Sequence, residues 1–144
     1  MIMYGGGWCY DRKGKYSREE IYNELMREKV FFTDYAMDTS PKVMNLLRKA
    51  KKGDIIYLKS YHIRKQTLVI QAIGKFLKDY NEEDDDVGTI GGQKGYVRSV
   101  NWDKQLFSDP IRIEIPSGRK YNTTLYEENR VETILEIMKH LNEK

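Results

Sequence analysis

Lys52-Gly-Asp-Ile-Ile-Tyr-Leu-Lys-Ser60, Leu68-Val-Ile-Gln-Ala-Ile-Gly-Lys75 and Val97-Arg-Ser-Val-Asn-Trp102 occupy the middle of the chain and read as consecutive β-strands. Asp54 to Lys59 is a short apolar run behind a Gly-Asp turn signal, the clearest strand in the sequence. Gln66 to Leu77 is a longer strand, and Gly74 inside it marks a bulge or bend. Tyr96 to Trp102 alternates, which puts Tyr96, Arg98, Val100 and Trp102 on one face. Pro110 to Ile115 alternates too, with Ile111, Ile113 and Ile115 turned inward.

Helices lie on either side of this block. Met1 to Tyr4 reads as an opening strand that ends in Gly5-Gly6-Gly7. Ser17-Arg-Glu-Glu20 has the form of a capping box, so a helix should run to about Lys29 and bury Ile21, Leu25 and Tyr22. Val30-Phe-Phe32 follows as a brief extended segment. Ser40 is placed to cap a second helix with Pro41 in its first turn, where a missing N–H costs nothing. That helix buries Val43, Leu46 and Leu47 and stops at Gly53. A last helix, about Glu127 to Asn142, carries Val131, Ile134, Leu135, Met138 and Leu141 at helical spacing and should pack through the last four. Asn81 to Gly95, glycine-bearing and poor in apolar residues, reads as a mobile hairpin loop.

A parallel doubly wound sheet requires strands that alternate with helices, and here the helices gather at the ends. The expected fold is therefore α+β: a bent, mainly antiparallel sheet of five or six strands, or a small open barrel, with flanking helices. No repeat and no linker divides the 144 residues, so 1–144 reads as one domain.

Composition narrows the function classes. A hydrophobic content of 40% excludes a disordered tail, and no apolar run approaches the ~20 residues of a membrane span. The sequence opens without a leader pattern, which points to the cytoplasm. Cys9 is the one cysteine, and His62 and His140 are the two histidines, so neither a disulfide framework nor a cysteine- or histidine-rich metal site is expected. Net charge is only +3, but the cations cluster: Arg48-Lys49-Lys51-Lys52, Lys59 with Arg64-Lys65, and Lys94 with Arg98. Glu82-Glu83-Asp84-Asp85-Asp86 gathers the acids and reads as a solvated loop.

Motifs for catalysis are weak. Gly5-Gly6-Gly7 follows a strand but lacks the spacing of a phosphate-binding loop, so a tight turn that admits close backbone approach is the better account. Cys9 and His62 could meet in space, yet a small buried thiol explains Cys9 as well. No enzyme and no cofactor is indicated. The aromatics carry more: 11 tyrosines and two tryptophans, with Trp8, Tyr10, Tyr35, Tyr61 and Trp102 at strand ends or in loops. Rings beside Lys59, Arg64 and Lys65 suit a stacked or flipped base held by its phosphates, with Lys94 and Arg98 as further backbone contacts.

The three central stretches, with Gly5-Gly6-Gly7-Trp8, Val30-Phe-Phe32 and Thr123-Thr-Leu-Tyr126, resemble the PUA-like superfamily, closest to EVE and YTH-like domains such as those fused to modification-dependent restriction enzymes. The resemblance implies a pocket that accepts a modified base in a partial aromatic cage. By position, Trp8, Lys59, Ser60 and Tyr61 would lie near it, and Trp102 matches the family's strand-ending tryptophan, which serves either pocket or core. The acidic stretch at Asn81 to Asp86 departs from the family pattern. A domain of this kind senses, masks or recruits, with an effector protein as partner, in phage defence or counter-defence. Two other classes stay open: a sensor or sequestering protein for a nucleotide-like ligand, favoured by the modest charge, and an interaction module that pairs through a sheet edge.

Overall fold

A computed structural model describes residues 1–8, 15–34, 40–116 and 118–143. The strands are β1 (Met3–Gly7), β2 (Val30–Thr33), β3 (Ile55–His62), β4 (Thr67–Phe76), β5 (Val87–Ile90), β6 (Gln93–Gln105), β7 (Ile111–Glu114) and β8 (Leu125–Glu127). The helices are α1 (Arg18–Glu28), α2 (Pro41–Lys49) and α3 (Val131–Leu141), with single 3-10 turns at Tyr80–Glu82 and Arg119–Asn122. No described helix is long and apolar enough to cross a membrane.

The strands make one eight-stranded sheet in the order β2-β6-β4-β3-β1-β8, with β5 added to β6 and β7 to β4. It is α+β and strongly curled, a half-barrel in shape. Every pairing is antiparallel except β1 with β3, which run parallel. Eight strands rather than five or six arise because β5 and β8 are short segments of four and three residues, too brief to announce themselves by alternation.

Period-two alternation divides the core. Ile56 and Leu58 of β3 join one apolar cluster with Phe31, Leu25 and Leu47, while Ile55 and Tyr57 join another with Leu68, Ile70 and Ile137. The central strands are thus buried on both faces, which is why β4 reads as an almost unbroken apolar run. The expected bend at Gly74 is present as a register shift between Ile73 and Gly74. A Cβ on Gly74 would stand 2.4 Å from the Asn101 carbonyl oxygen, so only glycine lets β6 close on β4 there.

The α1 capping box forms as expected: Glu20 N donates to Ser17 Oγ at 3.1 Å, and Ser17 N to the Glu20 carboxylate at 3.0 Å. Ile21, Tyr22, Leu25 and Met26 are its buried face. In α2, Pro41 opens the helix, but the Ser40 side chain makes no capping bond. Val43, Met44 and Leu47 are buried there.

Three expectations need correction. Gly5, Gly6 and Gly7 are neither a turn nor a loop but the second half of β1. A Cβ on Gly5 would fall 2.4 Å from the Tyr126 ring, and one on Gly6 2.4 Å from the Phe31 ring, so the glycines are a bed for aromatic side chains. Asn81 to Gly95 is also no loop. Tyr80–Glu82 forms a turn, β5 pairs with β6, and Glu83 inserts its side chain, 4% exposed, to meet Arg98. Finally, α3 packs through Thr133 and Ile137, both fully buried, with Ile134, Met138 and Leu141 partly buried, whereas Leu135 is 63% exposed.

Candidate functional site

Beyond Leu58 the β3–β4 ladder slips. Leu58 pairs with Ala72 and Lys59 with Ile70, which leaves Gln71 as the extra residue of a bulge. Bulges re-aim side chains and often lie beside binding sites. The Gln71 carbonyl is held twice, by Tyr22 Oη at 3.0 Å and by Leu106 N at 2.8 Å, so the bulge is pinned to α1 and to the end of β6. Its carboxamide lies beneath a cleft of about 380 Å³ on the α1 side of the sheet.

Alternation supplies the rest of the cleft. Ser60 and His62 of β3, Thr67 and Val69 of β4, and Arg112 of β7 all face it. Their neighbours Leu68, Ile70, Ile111 and Ile113 belong to the core on the other face. Phe107 forms an apolar wall, and Arg18 arrives from the first position of α1, where the capping box starts the helix. Trp8 stands behind that wall, 6% exposed, edge-on to Tyr22 and Phe107 at 5.9 and 6.4 Å. The Arg18 guanidinium lies 4.8 Å from the centre of the Trp8 ring.

The Gln71 amide has two settings. One accepts from Ser60 Oγ at 3.0 Å and donates to the Leu58 and Val69 carbonyls at 3.3 and 3.2 Å. The other donates to Ser60 Oγ and accepts from Trp8 Nε1 at 3.4 Å. The first makes three bonds against two and satisfies more polar atoms, so it is favoured.

The charged side chains of the cleft have one sign. Arg18, Lys65 and Arg112 are exposed at its mouth beside His62, and no carboxylate is among the described residues that line it. In a concave site with apolar walls, that arrangement concentrates positive potential and attracts anions.

The opposite face is closed on itself. The Lys59 ammonium, 5% exposed, donates to the Tyr121 carbonyl at 2.8 Å and to the Thr123 carbonyl, 5.4 Å from the Tyr126 ring centre. Burial pushes its pKa down to about 8. Tyr57 and Tyr121 both donate to the buried Glu128 carboxylate at 2.6 Å, and Tyr126 Oη lies 2.7 Å from Tyr57 Oη. Burial raises all three phenols. Tyr61 donates to the Ile115 carbonyl at 2.6 Å and stacks on Tyr121. These groups tie β3 to the Arg119–Asn122 turn and to β8.

Of the residues singled out in the sequence, the cleft brings together Ser60 and Lys65, with Trp8 behind its wall. Lys59 and Tyr61, neighbours of Ser60 in the chain, project to the other face because strand residues alternate. Arg98 is fully buried: it donates to the Leu47, Ala50 and Lys78 carbonyls and pairs with Glu83 at 3.3 Å, so it caps the end of α2 rather than facing a phosphate. Trp102 is a core residue of β6, and its Nε1 has no hydrogen-bond partner among the described residues. Arg64 is exposed in the β3–β4 turn, and Lys94 is exposed on β6, where it does not line the cleft. Tyr10, Tyr35 and Cys9 lie outside the described residues.

Sequence reasoning missed Gln71, Arg18, Phe107 and Arg112, and used His62 only as a partner for Cys9. A signal existed for two of them. Gln71 is the single polar residue in Leu68-Val-Ile-Gln-Ala-Ile73, and Arg112 alternates with inward isoleucines. No family model matches the chain, and no curated protein matches it.

Proposed function

We propose that the cleft binds a nucleotide unit of nucleic acid, seats a modified base against Phe107 above Ser60 and Gln71, and holds the flanking phosphates with Arg18, Lys65 and Arg112. The observation that carries this is a mouth bearing Arg18, Lys65 and Arg112, with no carboxylate among the described lining residues, over a Gln71 bulge whose backbone is pinned by Tyr22 and Leu106. A carboxamide and a hydroxyl recognise base edges, arginine and lysine hold phosphates, and a ring offers a stacking face. Such groups suit recognition, and together with the resemblance of the sequence they support a binding domain of PUA-like, EVE type. A role in phage defence or counter-defence then falls to an effector partner.

The second reading is a nucleotide-like small ligand. The cleft volume, about 380 Å³, falls near the lower end of small-molecule sites, and the net charge of +3 is low for a polymer binder.

Fluorescence anisotropy with labelled oligonucleotides containing 5-methylcytosine, 5-hydroxymethylcytosine or N6-methyladenine tests the proposal. Arg112→Glu should abolish binding. Gln71→Leu should keep affinity for the backbone but lose about 1–3 kcal/mol of discrimination between bases. Binding that ignores Arg112→Glu would place the ligand elsewhere.

A further inference from the structure

The cleft contains a hydroxyl whose proton is already placed. Ser60 Oγ faces the cleft from β3, and Gln71 is its one hydrogen-bond partner among the described residues. In the favoured setting of that amide, Gln71 Nε2 donates to the Leu58 and Val69 carbonyls, one on each strand beside the bulge, and Oε1 accepts from Ser60 Oγ at 3.0 Å. The competing setting gives up both carbonyls for a single Trp8 contact at 3.4 Å. A serine hydroxyl has one proton and two lone pairs. Because the proton lies along the bond to Gln71, the oxygen presents only lone pairs to the cleft.

A second hydroxyl of the lining is fixed in the same sense. Thr67 Oγ1 donates its proton to the Lys65 carbonyl at 2.9 Å, which again leaves lone pairs for the cleft. The donors stand at the mouth, as the N–H groups of Arg18, Lys65 and Arg112. Hydrogen-bond polarity thus divides the cleft into hydroxyl acceptors on β3 and β4 and cationic donors at the entrance. A ligand that answers both carries a negative group outside and an N–H group inside.

We infer that the base taken by the cleft bears an exocyclic amino group that donates to Ser60 Oγ, and that Gln71 is the positioning residue that fixes this preference by holding the Ser60 proton away from the ligand. This rests on the reading of the cleft as a base site. An oxo group in the same place sets its lone pairs against those of Ser60, and it loses the hydrogen bond it had in water. An unrestrained serine rotates its proton to suit either partner. Here that rotation breaks the bond to Gln71, so the amide converts an indifferent hydroxyl into a selective one.

The test uses the full chain and otherwise identical single-stranded oligonucleotides with matched central bases. One pair is 5-methylcytosine against thymine; the other is N6-methyladenine against O6-methylhypoxanthine, which differ only in N–H against O. On whichever pair binds, anisotropy titration of the wild type should favour the amino member by roughly tenfold, the lower range of what one base contact is worth. Gln71→Leu should bring that ratio to within about twofold of one, and should bind the oxygen-bearing member more tightly than the wild type does, because the released Ser60 proton now donates to it. Ser60→Ala should also flatten the ratio, but by weakening the amino member alone. A merely structural defect weakens both members together and leaves the ratio unchanged. Where circular dichroism shows that Gln71→Leu does not fold, Ser60→Ala decides. A wild type that binds both members alike or prefers the oxygen-bearing one, or a ratio that survives either folded variant, overturns the inference and leaves the base site standing. A wild type that binds no member of either pair overturns both.

Discussion

Lys59 and Ser60 are adjacent in the chain, yet one ammonium is sealed among carbonyls and the neighbouring hydroxyl opens on the cleft. The sealed ammonium has a consequence for stability. In the unfolded chain a lysine holds its proton to about pH 10.4, whereas burial lowers native Lys59 to about 8. Between those values the unfolded chain binds more protons, so stability should rise with pH, by at most about 1.4 kcal/mol per pH unit. Tyrosines reverse the slope at higher pH. Unfolded phenols ionise near 10, while burial holds native Tyr4 to about 12 and raises Tyr57, Tyr121 and Tyr126 as well. Above about pH 10 the native state therefore binds more protons, and stability falls. Urea unfolding midpoints across this range should show the rise and fall, and Lys59→Met should remove the rise alone. A wild-type profile that is flat from 8 to 10 contradicts this account.

Among the elements, α3 shows how far periodicity reaches. Its apolar residues are wide enough to mark two candidate faces, and packing chooses the one centred on Ile137. Ile137→Ala should cost about 2–5 kcal/mol, the range for emptying a filled core site. Leu135→Ala should change stability by about 0.5 kcal/mol or less, as for an exposed position. Chemical denaturation of the two variants side by side settles the orientation, and equal losses would mean that both faces are covered. The stretch from Asn81 to Gly95 teaches the converse. Its acids look solvated because nothing nearby in sequence neutralises Glu83. Arg98, 15 residues away, does so across the strand pairing, and Ser99 adds two hydrogen bonds to the same carboxylate.

Across the molecule, the curl of the sheet makes the cleft: α1 brings Arg18, β3 brings Ser60 and His62, the β4 bulge brings Gln71, and β7 brings Arg112. The opposite face spends its lysine and tyrosines on its own closure. Binding measured against salt should separate the two faces. If a nucleic-acid polymer is bound, Arg112→Ala should reduce the slope of log affinity against log salt by about one, because one fewer counterion is released. Lys59→Met should leave the slope unchanged. A mononucleotide-like ligand would instead give a shallow slope for every variant.

Local geometry determined what could be read directly. The capping box before α1, the alternation of β6 and the bend at Gly74 each depend on residues a few positions apart, so the sequence displays them whole. Segregated helices and strands were enough to exclude a doubly wound sheet. Side-chain alternation was equally available, and it already places Lys59 and Ser60 on opposite faces. Only the tertiary structure decided which face is open. The glycines of β1 are explained by rings from residues 31 and 126, Arg98 by a carboxylate across a hairpin, and Gln71 by a ladder slip. Each is a contact between segments that only sheet curvature brings together, and no periodicity within a single segment encodes it.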